Sequence, residues 1–342
     1  MATMNDVARV AEVSIATVSH VINGTRFVSP ERVERVHAAM RELDYTPDAT
    51  ARSLRVGRTD TIGLVVPDNS NPFFAELARW IEDAGFEAGY TTILANSNER
   101  PYRERRYITT LLSKRVDGLI ITPTAESDNE ALVASLRKAR IPIVVMDRDV
   151  ALPMADVVLY DDAAGSGDVA RHLIELGHTK FACISGPPGV PAERLEGFLI
   201  ALSSAGIAIT PNNIVAGDFH FAGGREATAK LLNIGKPFTA LFAANDLMAA
   251  GAIRTLAEHG LAVPDDVSVV GFDDAPIAEM VSPPLTTVRQ PLQDMADAAV
   301  SLLLARVQND GGKRRARRVL RTSLVVRDSS APPSRRKRAS RT

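Results

Sequence analysis

Cysteine is almost absent: Cys183 is the single one in 342 residues, which excludes an internal disulfide framework and any metal site built from several thiolates. The opening "MATMNDVARV" has no apolar signal core, and no apolar run is long enough to span a bilayer, so the chain reads as cytoplasmic, with no membrane partner. Neither a nucleophile–base set nor a metal-ligand spacing is visible. Catalytic residues, a metal and a cofactor are therefore not expected. One loose match to a dinucleotide motif, "GSGDVA" from Gly165 to Ala170, falls inside an expected helix and has no acidic partner at the expected distance. Its small residues suit close helix packing instead. Cys183 lies in a strand-like run, where a buried, inert thiol is expected. No leucine heptad follows residue 310, so no C-terminal tetramerisation helix is expected and the chain reads as a dimer.

What is present is ordinary globular material. An apolar share of 45% and a charged share of 24% suit a chain with room for two or three domains. The net charge of −1 conceals a basic C-terminal end, "APPSRRKRASRT". Residues 329–342 are expected to form a disordered tail, either a sequence-independent phosphate binder or a solvated terminus.

The first sixty residues look helical. "MNDVARVAEV" places Val7, Ala8 and Ala11 on one face; a tight turn leads into "SIATVSHVIN", with Ser14 as cap and Val18, Val21 and Ile22 at helical spacing. A third helix begins at "SPERVERVHAAMRELDY", with Ser29 as cap and Pro30 at the first helical position. Two short helices joined by a tight turn, with a third packed across them, follow the helix-turn-helix plan, in which the second helix enters the DNA major groove by its N-terminus. Three-helix units also serve as protein-interaction modules. On the DNA reading, Ile15 and Ala16 face outward because apolar side chains contact thymine methyls, and His20 bonds a purine acceptor. Up to residue 58 there are eight arginines and seven acidic residues. A headpiece so weakly basic must hold phosphates through helix N-termini, backbone N–H groups and local arginines, with a modest salt dependence.

After "TDTIGLVVPD" short apolar runs alternate with amphipathic stretches. "TIGLVVPD", "TTILANS", "DGLIITP", "IPIVVMD" and "DVVLYDD" form one strand series, and "KFACISG", "NIVAGDF", "TALFAAND" and "DVSVVGFDD" a second. Two series imply two parallel-sheet lobes, with ligands bound outside the carboxyl ends of the strands. At those ends stand Asn71, Phe73 and Phe74, then Asp147 and Arg148, then Phe219, Asn245 and Asp273, with Arg194 opening a helix and Gln290 after "LTTVR". Flat apolar faces beside carboxylates, guanidinium groups and amides suit a polyhydroxylated ligand. Taken singly, the phenylalanines could be core and the aspartates helix caps; their joint placement favours a site.

"MATMNDVARVAEVSIATVSHVINGTRFVSPERV" and "YTPDATARSLRVGRTDTIGLVVPD" resemble the LacI/GalR family of bacterial transcriptional repressors, from Ala2 to about Asp328. The resemblance implies an all-α helix-turn-helix headpiece with a hinge helix, then an α/β core of two parallel-sheet lobes like the periplasmic binding proteins. It sets the headpiece at 1–47, the hinge and linker at 48–59 and the core at 60–328, with one lobe near 60–160 and 292–322 and the other near 163–290 and 323–328. It implies that Ile15, Ala16, Thr17, His20 and Arg26 contact operator DNA. It also implies that Leu54, in "ATARSLR", wedges into the minor groove beside Arg55, which bends the duplex. The strand-end set is similar to that of ribose-binding proteins and of the ribose-responsive repressors in this family. Asn71, Phe73, Phe74, Asp147, Arg148, Arg194, Phe219, Asn245, Asp273 and Gln290 would then hold D-ribose as effector; another pentose, a hexose or a purine is the alternative. A sugar-transport protein would share the lobes but lack the helix-turn-helix. The expected partners are operator double-stranded DNA, a sugar and a second copy of the chain.

Overall fold

The computed structural model describes residues 2–46, 57–124, 130, 133, 134, 136, 137, 141–149, 152, 154–190, 192–235, 237–308 and 314–334. The chain divides into two compact units, 1–59 and 60–342.

In the first unit α1 (Met4–Val10), α2 (Ile15–Asn23) and α3 (Pro30–Glu42) enclose a small core of Val7, Ala8, Ala11, Val18, Val36 and Ala39, with Val21 and Ile22 packed against it. Ser14 caps α2 by accepting the Thr17 N–H at 3.1 Å, and Gly24 ends it in the left-handed conformation. Pro30 opens α3, but the Ser29 side chain makes no capping bond. At the first helical position the proline has no N–H to satisfy, which leaves less for a cap to do. Arg35 from α3 donates to the Ala11 and Glu12 carbonyls and so pins the turn between α1 and α2.

The second unit holds two lobes. In lobe 1, β1 (Thr61–Val66), β2 (Thr91–Asn96), β3 (Gly118–Ile121), β4 (Ile143–Met146), β5 (Asp156–Tyr160) and β11 (Arg317–Leu320) form a parallel sheet in the order β11-β5-β4-β3-β1-β2. Successive side chains point to opposite faces. Ile62, Leu64, Val66, Val144 and Met146 meet α4 (Pro72–Glu87) and α11 (Leu292–Val307); Val65, Leu119, Ile121, Val145 and Val157 meet Ile108 and Leu111 of α5 (Pro101–Ser113).

Lobe 2 repeats the plan with β6 (Phe181–Ser185), β7 (Ile214–Ala216), β8 (Ala240–Ala243) and β9 (Ser268–Val270) in the order β7-β6-β8-β9. Four helices flank it: α6 (Asp162–Glu175), α7 (Glu193–Ser204), α8 (Phe221–Ile234) and α9 (Asp246–Glu258). A short α10 (Ile277–Met280) follows β9, and β10 (Thr287–Arg289) pairs antiparallel with β12 (Ser323–Val325). The motif-like "GSGDVA" lies inside α6. There α6 and α7 pack so closely that a Cβ on Gly197 would overlap the Ala163 backbone. Chain passes between the lobes near residues 161, 290 and 321, where Thr322 Oγ1 donates to the Asp161 carbonyl at 3.3 Å.

The disordered tail expected from residue 329 needs correction. Ser329 is fully buried; its carbonyl accepts the Val269 N–H at 2.8 Å, and its side-chain bonds to Thr286 N (2.8 Å) and Val269 O (2.6 Å) make it part of lobe 2. Beneath it His178 Nε2 meets Ala331 O at 2.9 Å, and His172 Nε2 meets Ser330 Oγ at 2.9 Å. Composition missed this strap because its serines are satisfied by partners far away in the chain. Residues 335–342 lie outside the described residues.

Candidate functional site

Each sheet has a switch point, between β1 and β3 in lobe 1 and between β6 and β8 in lobe 2, and the loops leaving the strands there face one cleft. A cavity of about 320 Å³ fills it, lined by nine of the ten expected residues: Asn71, Phe73, Phe74, Asp147, Arg148, Arg194, Phe219, Asn245 and Asp273.

Asn71 and Asn245 do double duty. Asn71 caps α4, accepting the Phe73 N–H at 3.1 Å ahead of Pro72, and Asn245 caps α9, accepting the Met248 N–H at 2.9 Å. Each amide oxygen keeps a second lone pair and each amide nitrogen a free hydrogen for a ligand, even though that of Asn245 already donates one to Phe219 O at 2.9 Å. Phe73 and Phe74 meet edge to face, with centroids 4.9 Å apart. Phe219 approaches from lobe 2; an added Cβ on Gly186 would lie 2.6 Å from its ring, so glycine is required there.

Charge is concentrated and internally paired. Arg148 forks onto Glu99 (2.7 and 3.2 Å) and donates to Pro123 O at 2.9 Å. Arg194 donates to Asp162 (2.9 Å), Ala244 O (2.7 Å) and Asp273 (3.1 Å), and its guanidinium lies 4.0 Å from the Phe272 ring centroid. Burial opposes its charge, but Asp162, Asp273 and Asp147 outweigh that and hold it firmly protonated. Burial pushes Asp147 up to about 6 and Asp273 up to about 7, against the pull of Arg148 and Arg194 on the first and of Arg194 on the second. Asp147 (φ 65°), Phe219 (φ 66°) and Asp273 (φ 116°) all sit in backbone regions that L-residues avoid, at a cost of about 1–3 kcal/mol each. Strain gathered at one cleft fits a site selected for its ligand.

Gln290 does not line the cavity. It stands behind Asp273, donating to Oδ1 at 2.6 Å, while its own Oε1 is buried without a partner. Residues missed from sequence include Asp162, which lines the cavity with one buried carboxylate oxygen unpartnered, and Tyr160, whose hydroxyl is also buried and unpartnered. Burial raises the Tyr160 phenol, so it stays a donor. Both belong to the end of the fifth strand run, "VVLYDD", where the strand-end rule would have found them. Ser185 at the end of β6, with Pro187 and Pro188 in the loop after it, also lines the cavity and follows the same strand-end rule. Orphaned buried polar atoms of this kind invite ligand hydroxyls.

In the headpiece, Ile15 is 50% exposed and Ala16 and Arg26 are exposed. The Thr17 hydroxyl meets Ser14 Oγ at 2.9 Å, which turns it toward the cap. His20 Nδ1 meets Thr25 Oγ1 at 2.8 Å, so Nε2 is the atom it can present to a base. Phe27, beside Arg26, is 91% exposed and was not anticipated; it lies in a loop, outside any periodic pattern. Leu54 and Arg55 lie outside the described residues. Among the described residues no group of three His, Cys, Asp or Glu is placed to hold a metal ion, and no helix is long and apolar enough to cross a membrane.

A helix-turn-helix unit joined to a two-lobed core with a polar, aromatic-lined cleft defines a ligand-responsive DNA-binding regulator. Residues 3–48 match the family described as bacterial regulatory proteins, lacI family, and residues 170–330 match the periplasmic binding protein-like domain. The chain is 42% identical over 310 residues to the ribose operon repressor of Escherichia coli (strain K12), covering 90% of this chain and 93% of that one. It is 41% identical over 332 residues to the HTH-type transcriptional repressor PurR of Photobacterium profundum, covering 96% and 98%. The solved Lac repressor dimer bound to operator and the anti-inducer ONPF shares 30% identity with a TM-score of 0.86, covering 96% of this chain and 99% of that one. The protein belongs to the LacI family. It is a DNA-binding transcriptional repressor with a ligand-binding core, and not an enzyme.

Proposed function

We propose that the protein acts in the cytoplasm as a homodimer on a near-palindromic operator, with D-ribose bound between the lobes as its effector. The observation that carries this reading is the convergence of two phenylalanines, Asp147–Arg148 and the Arg194–Asp273 pair on one cavity of about 320 Å³. The rings suit the C–H face of a small sugar, and the charged pairs suit neighbouring hydroxyls. Each subunit presents Ile15, Ala16, Thr17, His20 and Arg26 to a half-site, while Leu54 and Arg55 engage the minor groove. Ribose binding changes the lobe arrangement and so the operator affinity, by no more than its own differential affinity for the two states.

Identity does not separate effectors, since the ribose operon repressor and PurR stand at 42% and 41%. The test is calorimetric titration with D-ribose beside glucose, galactose, xylose and hypoxanthine, followed by operator mobility shifts with and without the binder. Saturable, selective ribose binding supports the reading and the shift gives its sign; heat from hypoxanthine alone replaces ribose with a purine.

A further inference from the structure

Beyond the inner cavity the cleft opens into an outer chamber of about 370 Å³, walled by Asp68, Asn98, Glu99 and Arg100 of lobe 1 and Asp218 and His220 of lobe 2. Phe74 and Phe219 line both chambers. Across the outer one, His220 Nε2 lies 3.1 Å from Asp68 Oδ2. Both partners are held for this contact. Ser70 donates its N–H (3.0 Å) and hydroxyl (2.7 Å) to Asp68 Oδ1, which leaves Oδ2 to face the opposite lobe. The His220 N–H donates to Asp218 Oδ1 at 2.8 Å, and its Nδ1 lies 2.8 Å from Asp218 O.

We propose that His220 and Asp68 form a latch that closes the mouth of the cleft over a ligand of monosaccharide size; this rests on the reading of the cleft as a small-sugar site. The two residues are positioning residues. His220 adjoins Phe219, and Asp68 begins the turn that carries Asn71 and Phe74, so the bond sets the separation of the two aromatic walls. A ligand reaching from the inner chamber to solvent would have to break it. Nδ1 lies against a carbonyl and Nε2 against a carboxylate, so a ring N–H on either side has an acceptor waiting for it. The other charged groups around the chamber are Asp218, 3.8 Å from Nδ1, Glu99, which is held by Arg148, and Arg100, which is exposed.

The test measures interlobe distances by electron–electron double resonance, with nitroxides on Arg106→Cys in lobe 1 and Lys230→Cys in lobe 2. Cys183 is buried, with its thiol pushed up to about 12, and stays unlabelled. In ligand-free protein the closed population should shrink in His220→Ala and Asp68→Ala, and be largely kept in His220→Gln, which still offers a donor to Asp68. With D-ribose, His220→Ala should weaken binding about 2- to 5-fold, and His220→Gln should restore most of that loss. Identical distance distributions in wild type and His220→Ala overturn the latch. Absence of ribose binding by the wild type overturns the ribose reading instead, while the ligand-free distances still decide the latch.

Discussion

Gln290 donates a 2.6 Å hydrogen bond to Asp273 Oδ1, the same oxygen that accepts from Arg194 at 3.1 Å. Gln290 is the residue from which the chain leaves lobe 2 for α11 of lobe 1. The carboxylate best placed to meet a ligand hydroxyl is thus tied to one of the passages between the lobes, and a change at Asp273 is felt where lobe motion must hinge. Asp273→Ala should weaken ribose binding roughly 10- to 100-fold, the loss expected for hydrogen bonds to a charged group. Sugar-free operator binding should stay intact. Calorimetry and mobility shifts on one preparation check this; equal loss of both activities would indicate misfolding.

Effector binding should depend on pH through the same cleft. Asp147, raised to about 6, and Asp273, raised to about 7, are partly protonated in the free protein below neutrality. Sugar hydroxyls that donate to them favour the ionised forms. Affinity should therefore rise from pH 5 to pH 8 with release of protons, and titrations in buffers of different ionisation enthalpy measure that release directly. Asp273→Asn should release fewer.

A methyl group at position 197 should be costly. The added Cβ of Gly197→Ala would run into the Ala163 backbone and Ser166, forcing α6 and α7 apart. A destabilisation of about 1–3 kcal/mol is expected, read as a lower urea midpoint. The shift should reach the effector site as well, because Asp162 and Arg194 open these two helices.

The strap at residues 329–331 predicts a sharp boundary for truncation. Compared with a chain ending at Ser334, one ending at Asp328 should be destabilised by several kcal/mol, because it strands the groups that Ser329, Ser330 and Ala331 satisfy. Burial lowers both His172 and His178. Their folded pKa values lie below the unfolded value of 6.5, so the stability they contribute is present above that pH and is lost as pH falls through the folded values. Melting curves of the full and truncated chains from pH 8 to pH 5 check both statements.

If Leu54 is the minor-groove wedge of the proposed reading, Leu54→Ala should weaken operator binding, because a wedge stabilises the bent duplex, and leave ribose affinity unchanged. Unaltered operator affinity would remove Leu54 from the interface.

Much of the molecule was legible because the signals are local. Pro30 and Pro72 at first helical positions, the caps Ser14, Asn71 and Asn245, and the apolar runs of nine strands all act within a few residues of chain. Strand ends could be read for ligand residues because parallel sheets place those ends on one side. By itself the sequence thus determined two kinds of domain, the two lobes and nine residues of one cavity. The tertiary structure decided what depends on distant segments meeting. It set Gln290 behind Asp273, brought Asp162 to the cavity with an unpartnered oxygen, left the Tyr160 hydroxyl buried without a partner, and buried Ser329 where polar composition suggested solvent. It also joined His220 to Asp68 across 152 residues of sequence. No periodicity encodes such pairs; they exist only once closed sheets have fixed how far apart the two loops stand.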